Sequence, residues 1–80
     1  MYLPEFIPLS LEGKLAAILE QGIFLIIRTQ GEHYVALYDM SSFFCEVWHD
    51  TATDKVLLAV GFEGTRRLEP YLQLIELQEL

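Results

Sequence analysis

The first periodic pattern of apolar positions along the chain predicts a helix near the N-terminus. Ser10 is a residue type that commonly caps helices, and Gly22 is one that commonly ends them. The apolar positions between them have the spacing of one helix face: Leu11, Leu15, Ile18 and Leu19. The prediction is a helix over residues 10–21, with Ser10 at its N-cap.

Residues 1–9 have a different pattern, in which two prolines stand among apolar side chains. Pro4 and Pro8 fix their own φ angle and disfavour a helical conformation in the residue before them. The remaining side chains of the segment are mostly apolar, so we expect the segment to lie on the protein body. The prediction is an extended apolar strap over residues 1–9.

From Ile23 onwards the apolar positions follow a strand-like pattern that is rich in β-branched and aromatic residues. Short polar or glycine-containing segments divide this part of the chain into separate runs. The runs are Ile23–Gln30, His33–Asp39, Phe43–His49 and Val56–Val60. Connections this short require neighbouring strands to run antiparallel. The prediction is a four-stranded meander over residues 23–60.

A second helix is predicted at the C-terminal end. Thr65 is a suitable N-cap, and Pro70 is tolerated in or near a first turn. The apolar residues that share one face of this helix are Leu68, Tyr71, Leu72 and Ile75. Because Leu77 and Leu80 lie off that face, the helix is predicted over residues 65–76.

These elements follow one another in the order α-β-β-β-β-α. A chain of 80 residues is long enough for one domain and too short for two. We therefore expect a single α+β domain over residues 1–80. In this arrangement both helices, N-terminal and C-terminal, pack on one face of the antiparallel sheet.

The composition narrows the classes of partner. With 12 acidic and 5 basic residues the formal net charge is −7, so the basic surface that nucleic acids or anionic membranes attract is not expected. The chain is also 52% hydrophobic and 12% aromatic, which is more apolar material than a small core easily hides. We therefore expect a protein partner, with a homodimer preferred.

The lone cysteine and the lack of targeting patterns predict a cytoplasmic location. Cys45 is the only cysteine, so no intrachain disulfide forms, which suits a reducing compartment. The first residues lack the pattern of a signal peptide, and no apolar run approaches the roughly 20 residues of a membrane span. We expect a cytoplasmic protein with no cofactor.

An assumed strand pairing, with Asp39 opposite Phe43, decides which side chains share a face of the sheet. It places His33 opposite His49, where two imidazoles are close enough to bind a divalent metal. The other interpretation is two exposed histidines without special contacts, and a shift of one residue in the pairing would send them to opposite faces. A metal- or small-ligand-binding protein is therefore the alternative function.

The same pairing collects aromatic side chains and one acid on a single sheet face. That face contains Tyr34, Tyr38, Phe44, Glu46 and Trp48. If both helices cover the opposite face, this one stays open, unless the strap of residues 1–9 closes it and the protein is a monomer. Open aromatic surfaces are typical of interfaces. We predict a protein–protein interaction module that forms a homodimer through this face, with Glu46 setting partner choice through its charge.

No catalytic motif occurs in the chain, so we expect that the protein is not an enzyme. Cys45 is predicted to be a buried structural residue, because His49 is about 13 Å away along the strand at ~3.3 Å per residue. Arg66 and Arg67 precede a helix, where positive charge is unfavourable. We expect a solvated pair there, with a carboxylate partner (Glu63 or Glu69) or an anionic ligand as the alternative.

Overall fold

The computed structural model describes residues 1–64 and 66–79, while the side chains of Arg66 and of residues 75–79 lie outside the description. Its elements, in chain order, are α1 (Leu3–Phe6), α2 (Leu11–Gln21), β1 (Ile23–Gln30), β2 (His33–Asp39), β3 (Phe44–Asp50), β4 (Val56–Phe62), a 3₁₀ turn (Arg66–Leu68) and α3 (Glu69–Glu79). The predicted α+β arrangement is confirmed. The four strands form one antiparallel meander in the order β1-β2-β3-β4.

Helix α2 has the cap that its sequence predicts. The side-chain oxygen of Ser10 accepts a hydrogen bond from the Gly13 N–H at 3.1 Å, which satisfies one of the free donors of the first turn. Ala17 and Ile18 are the buried residues of the helix. Leu19, predicted on the buried face, is instead 89% exposed, so α2 carries an apolar side chain on its outer surface.

The predicted extended strap is wrong, because α1 is one turn of helix within residues 1–9. Pro4 stands in the first turn, where a helix tolerates proline since no N–H is needed there. A carboxylate oxygen of Glu5 accepts a hydrogen bond from the Tyr2 N–H at 2.9 Å, which stabilises the start of the turn.

Helix α1 is anchored in the core by Phe6. Its side chain is fully buried, and its ring centroid lies 5.1 Å from that of Phe43. Gly61 of β4 allows this close approach, since a Cβ atom there would lie 2.7 Å from Leu3 Cδ1 and 2.9 Å from Phe6 Cδ2. The N-terminal segment is therefore part of the folded core.

The pairing of β2 with β3 differs by one residue from the assumed register. Asp39 lies opposite Phe44 and not Phe43. The reason is the turn between the strands, in which the Met40 N–H donates to the Phe43 carbonyl at 2.9 Å and Ser41 has a φ of 79°. Met40 and Phe43 both point into the core, so four residues form the turn and the ladder begins after Phe43.

The helices lie on different faces of the sheet. Cys45 and Val47 pack with α1 and α2 in one apolar cluster. Leu37 and Phe62 pack with Tyr71 of α3 in a second cluster on the other face. The expectation that both helices cover one face, which was drawn from the order of the elements, is therefore wrong, because each face has an apolar cluster of its own to bury.

Helix α3 begins at Glu69 after the 3₁₀ turn and runs to Glu79, past the predicted end near residue 76. The predicted cap Thr65 lies outside the described residues, and so does Leu80. Helices α2 and α3 each have 11 residues. In the described ranges, no helix is long and apolar enough to cross a membrane.

The direction of α3 across the sheet follows from its contacts. The guanidinium of Arg67, just before the helix, lies over the ring of Phe62 in β4 at 5.9 Å. Three residues into the helix, Tyr71 is buried to 2% exposure against the sheet. Leu74 lines a cavity together with Ile27–Thr29 of β1. The helix therefore runs from β4 towards β1.

Candidate functional site

The five predicted interface residues do not share a face. Tyr34 and Tyr38 lie opposite His49 and Cys45, on the face that α1 and α2 cover. The other three residues lie on the face that α3 covers: Phe44, Glu46 and Trp48. A single open aromatic face is therefore wrong, because the one-residue shift divides its members and each face carries a helix.

The two histidines are separated in the same way. His33 lies opposite Asp50, and its ring centroid is 5.9 Å from that of Trp48. His49 lies opposite Tyr34 and stacks on its ring at 4.4 Å, on the other face. The cross-strand histidine pair is therefore not formed. Among the side chains of residues 1–64 and 67–74, no group of three or more His, Cys, Asp or Glu could hold a metal ion.

Cys45 is buried, as predicted, with none of its surface exposed. Burial raises the pKa of the Cys45 thiol to about 12. Because the thiolate is the reactive species, the thiol has neither the exposure nor the ionisation of a nucleophile.

We expect the Cys45 thiol to resist alkylation in the folded protein. Its reaction with a maleimide at pH 8 should be at least about a hundredfold slower than after unfolding in guanidinium chloride, because both access and thiolate are missing. Loss of free thiol over time measures both rates. Similar rates in the two states would contradict the buried position.

Glu46 is the centre of a charged cluster between the sheet and α3. It is 2% exposed, and its carboxylate accepts a hydrogen bond from the Tyr71 hydroxyl at 2.6 Å. Guanidinium nitrogens of Arg28 and Arg67 lie 3.2 Å and 3.5 Å from the same carboxylate. Arg28 also lies over the rings of Trp48 at 5.5 Å and Tyr71 at 5.1 Å. These contacts attach α3 to the sheet.

The Glu46 cluster corrects two expectations from the sequence. Glu46 is too buried to set partner choice through its charge at a surface. Arg67 pairs with a carboxylate, but that carboxylate is Glu46 and not Glu63 or Glu69. Burial and the neighbouring Glu46 raise the pKa of the Tyr71 hydroxyl, so it stays protonated and donates its hydrogen bond. The available signal was an acid with apolar residues on both sides of it in the strand, Cys45 and Val47.

The most exposed apolar surface follows β1, which is an edge strand. Leu19 of α2 lines a cavity together with Phe24, and Leu72 of α3, 49% exposed, lines another with Phe24. Together they form a continuous surface, the β1 patch, whose members are Leu19, Ile23, Phe24, Leu25, Ile27 and Leu72. Monomeric proteins rarely expose large contiguous patches of this kind.

Part of the β1 patch forms a groove of about 600 Å³ between β1 and α3. Every described residue that lines it is apolar or aromatic: Phe24, Leu25, Ile26, Ile27, Leu37, Phe44, Leu68, Tyr71 and Leu72. The one hydroxyl among these residues, on Tyr71, is bound to Glu46. The described lining of the groove therefore suits apolar side chains.

The two edges of the sheet are protected to different degrees. At β4, helices α1 and α2 pack against the strand, and Lys14 Nζ donates to the Ala59 carbonyl oxygen at 3.3 Å. Lysine at a sheet edge opposes pairing with another chain. β1 contains neither lysine nor proline, and its only charged residue, Arg28, is directed to Glu46. β1 is therefore the more open edge.

A signal for this edge was present in the sequence. Ile23–Ile27 is apolar at every position, whereas a strand with one solvated face alternates apolar and polar residues. The first strand of a meander is also an edge strand by topology. An unbroken apolar run on an edge strand indicates a contact surface.

Comparison of the chain with protein-family models, curated proteins and solved structures finds no match.

Proposed function

We propose that this protein is a small protein–protein interaction module that forms a homodimer through β1. The observation that carries the proposal is an edge strand without lysine or proline whose side chains Ile23, Phe24, Leu25 and Ile27 are each about half exposed or more. The free N–H and C=O groups of an edge strand pair readily with another strand. The proposal includes no catalytic activity, and it keeps the cytoplasmic location that a lone reduced cysteine suits.

Charge favours a second copy of the chain at this edge. Each copy carries a net charge of −7, so two copies repel wherever their acids meet. Residues 21–31 contain no acid, and their only charged residue is Arg28. An apolar strand is also complementary to itself when two copies run antiparallel about a two-fold axis. The β1 edge therefore offers contact with little repulsion.

The accessible surface and the radius of gyration of the chain are both larger than expected for a compact monomer of this size, which favours an interface with another subunit. A monomer of 9.2 kDa is expected to expose roughly 4,900 Å², and the accessible surface is 5509 Å². The radius of gyration is 12.7 Å, while a compact domain of this length has about 11.6 Å. The chain is a slab of 38 × 30 × 19 Å, and pairing along β1 would bury part of the additional surface.

Light scattering at micromolar and tenfold lower concentrations is expected to give twice the 9.2 kDa mass of the chain. Leu25→Lys should raise the dissociation constant at least about thirtyfold, because it places a charge in the centre of the apolar edge. Sedimentation velocity measures the change.

Leu57→Lys is the matched control. Leu57 is 45% exposed and Leu25 is 46% exposed, and each is the unpaired residue at a β-bulge of an edge strand, β4 and β1 respectively. The control variant should dimerise like the wild type. A monomeric wild type, or equal weakening by both substitutions, would overturn the proposal.

A further inference from the structure

We propose that in the homodimer the two α3 helices lie side by side and antiparallel across the two-fold axis. Leu72 of each subunit then closes the apolar groove of the other subunit. This inference rests on the proposed homodimer, and it names what fills the groove between β1 and α3. It follows from the path of α3, from the side on which the groove lies, and from the symmetry of strand pairing.

The path of α3 leads past the edge of the sheet. The helix crosses from Phe62 of β4 to Ile27 of β1, where Leu74 lies beside the strand. It continues for five residues to Glu79, which is about 7.5 Å at 1.5 Å per residue. Because β1 is the last strand on this side, that length reaches the place of a partner strand, about 4.8 Å from β1.

The groove lies on one side of α3 only. Leu68 and Leu72 line it, together with Phe24–Ile27 of β1. On the other side of the helix, Pro70 and Leu74 lie beside Ile27–Thr29. The helix therefore crosses β1 near Ile27 and leaves the N-terminal half of the strand uncovered.

Among the described side chains of α3, the charged and polar ones lie on the side away from the groove. Glu69 and Gln73 line the cleft that contains Arg28 and Arg67, away from the groove. The described side chains that α3 directs towards the groove are apolar, and Leu72 is 49% exposed. A second apolar surface is therefore the fitting neighbour for this side of the helix.

Symmetry decides where the second α3 lies. Antiparallel pairing of two identical strands gives a two-fold axis perpendicular to the sheet, so both helices lie on the same side of the joined sheet. An axis at Ile27 would make the helices collide, since packed helices need about 8–10 Å between their axes. An axis near Leu25, in the middle of the apolar run, separates the crossing points by about 13 Å. The two grooves then face each other between the helices.

Cross-linking tests the arrangement directly. In Leu72→Cys, a short bis-maleimide is expected to convert the dimer to a covalent dimer, because the two introduced thiols face each other. Gln73→Cys, the next residue along and on the other side of the helix, should give at least about tenfold less product. The natural Cys45 is buried and does not compete.

A binding measurement provides the second readout. Leu72→Lys should raise the dissociation constant at least about tenfold, and Gln73→Lys should leave it unchanged. If Leu25→Lys dissociates the dimer but the Leu72 variants behave like the Gln73 variants, this inference is overturned and the proposed function stands. If the wild-type protein is monomeric, both are overturned.

Discussion

Replacing Glu46 with alanine is expected to lower the free energy of unfolding by about 3–5 kcal/mol. The substitution leaves the guanidinium of Arg28, whose side chain is 13% exposed, without its carboxylate partner. It also leaves the Tyr71 hydroxyl without its acceptor in a buried position. Urea unfolding followed by the fluorescence of Trp48, the only tryptophan, measures the change. The Leu25→Lys background keeps the measurement free of dimerisation.

Two further variants distinguish the contribution of the buried cluster to stability from the general effect of removing a charge. Glu69→Ala removes an exposed acid from the cleft beside the cluster, and it should change the free energy of unfolding by no more than about 0.5 kcal/mol. Tyr71→Phe removes one hydrogen bond to a charged group and should cost about 1.5–3 kcal/mol. A loss in Glu46→Ala as small as that in Glu69→Ala would contradict the role of the cluster.

The buried cluster also supports the groove at the β1 patch. Tyr71 belongs to both, since its hydroxyl binds Glu46 while its ring lines the groove. The hydrogen bond between Tyr71 and Glu46 therefore fixes the position of α3 on one side, and Leu72 is exposed on the other side. If the protein forms the proposed homodimer, the placement of this single helix couples core stability to self-association.

The sequence predicted the parts of the fold that local chemistry determines. Ser10 caps α2 because its hydroxyl reaches the N–H of Gly13 three residues on, which is a contact within one turn. The four strands form a meander because their connections are too short for any crossover. Neither feature requires knowledge of what packs against the sheet.

The strand register could not be predicted in the same way. It depends on whether Phe43 belongs to β3 or to the turn, and the apolar character of Phe43 suits both positions. In the structure Phe43 is buried from the turn, together with Met40, through packing with residues distant in sequence. One residue of shift then reverses the faces of the whole strand. The predicted histidine pair and the predicted aromatic face both follow from this single error.

The candidate contact surface was only partly predictable. An excess of apolar residues and a preference for self-association followed from composition alone. The location did not, because whether a sheet face is open depends on which helices cover it. In the structure, helices cover both faces of the sheet and β1 is the exposed apolar element. The proposed contact is therefore at the edge of the sheet and not on one of its faces.

Replacing Phe6 with alanine is expected to lower the free energy of unfolding by about 3–5 kcal/mol. The Phe6 ring is fully buried against Phe43 and lies over Gly61, so its loss leaves a cavity between α1 and the sheet. Ile7→Ala is the control, because Ile7 is the next residue and is 58% exposed, and the expected cost there is about 0.5 kcal/mol. Both are measured by urea unfolding. Equal effects of the two substitutions would mean that α1 is a loosely attached segment, whereas a large difference would show that one helical turn completes the core.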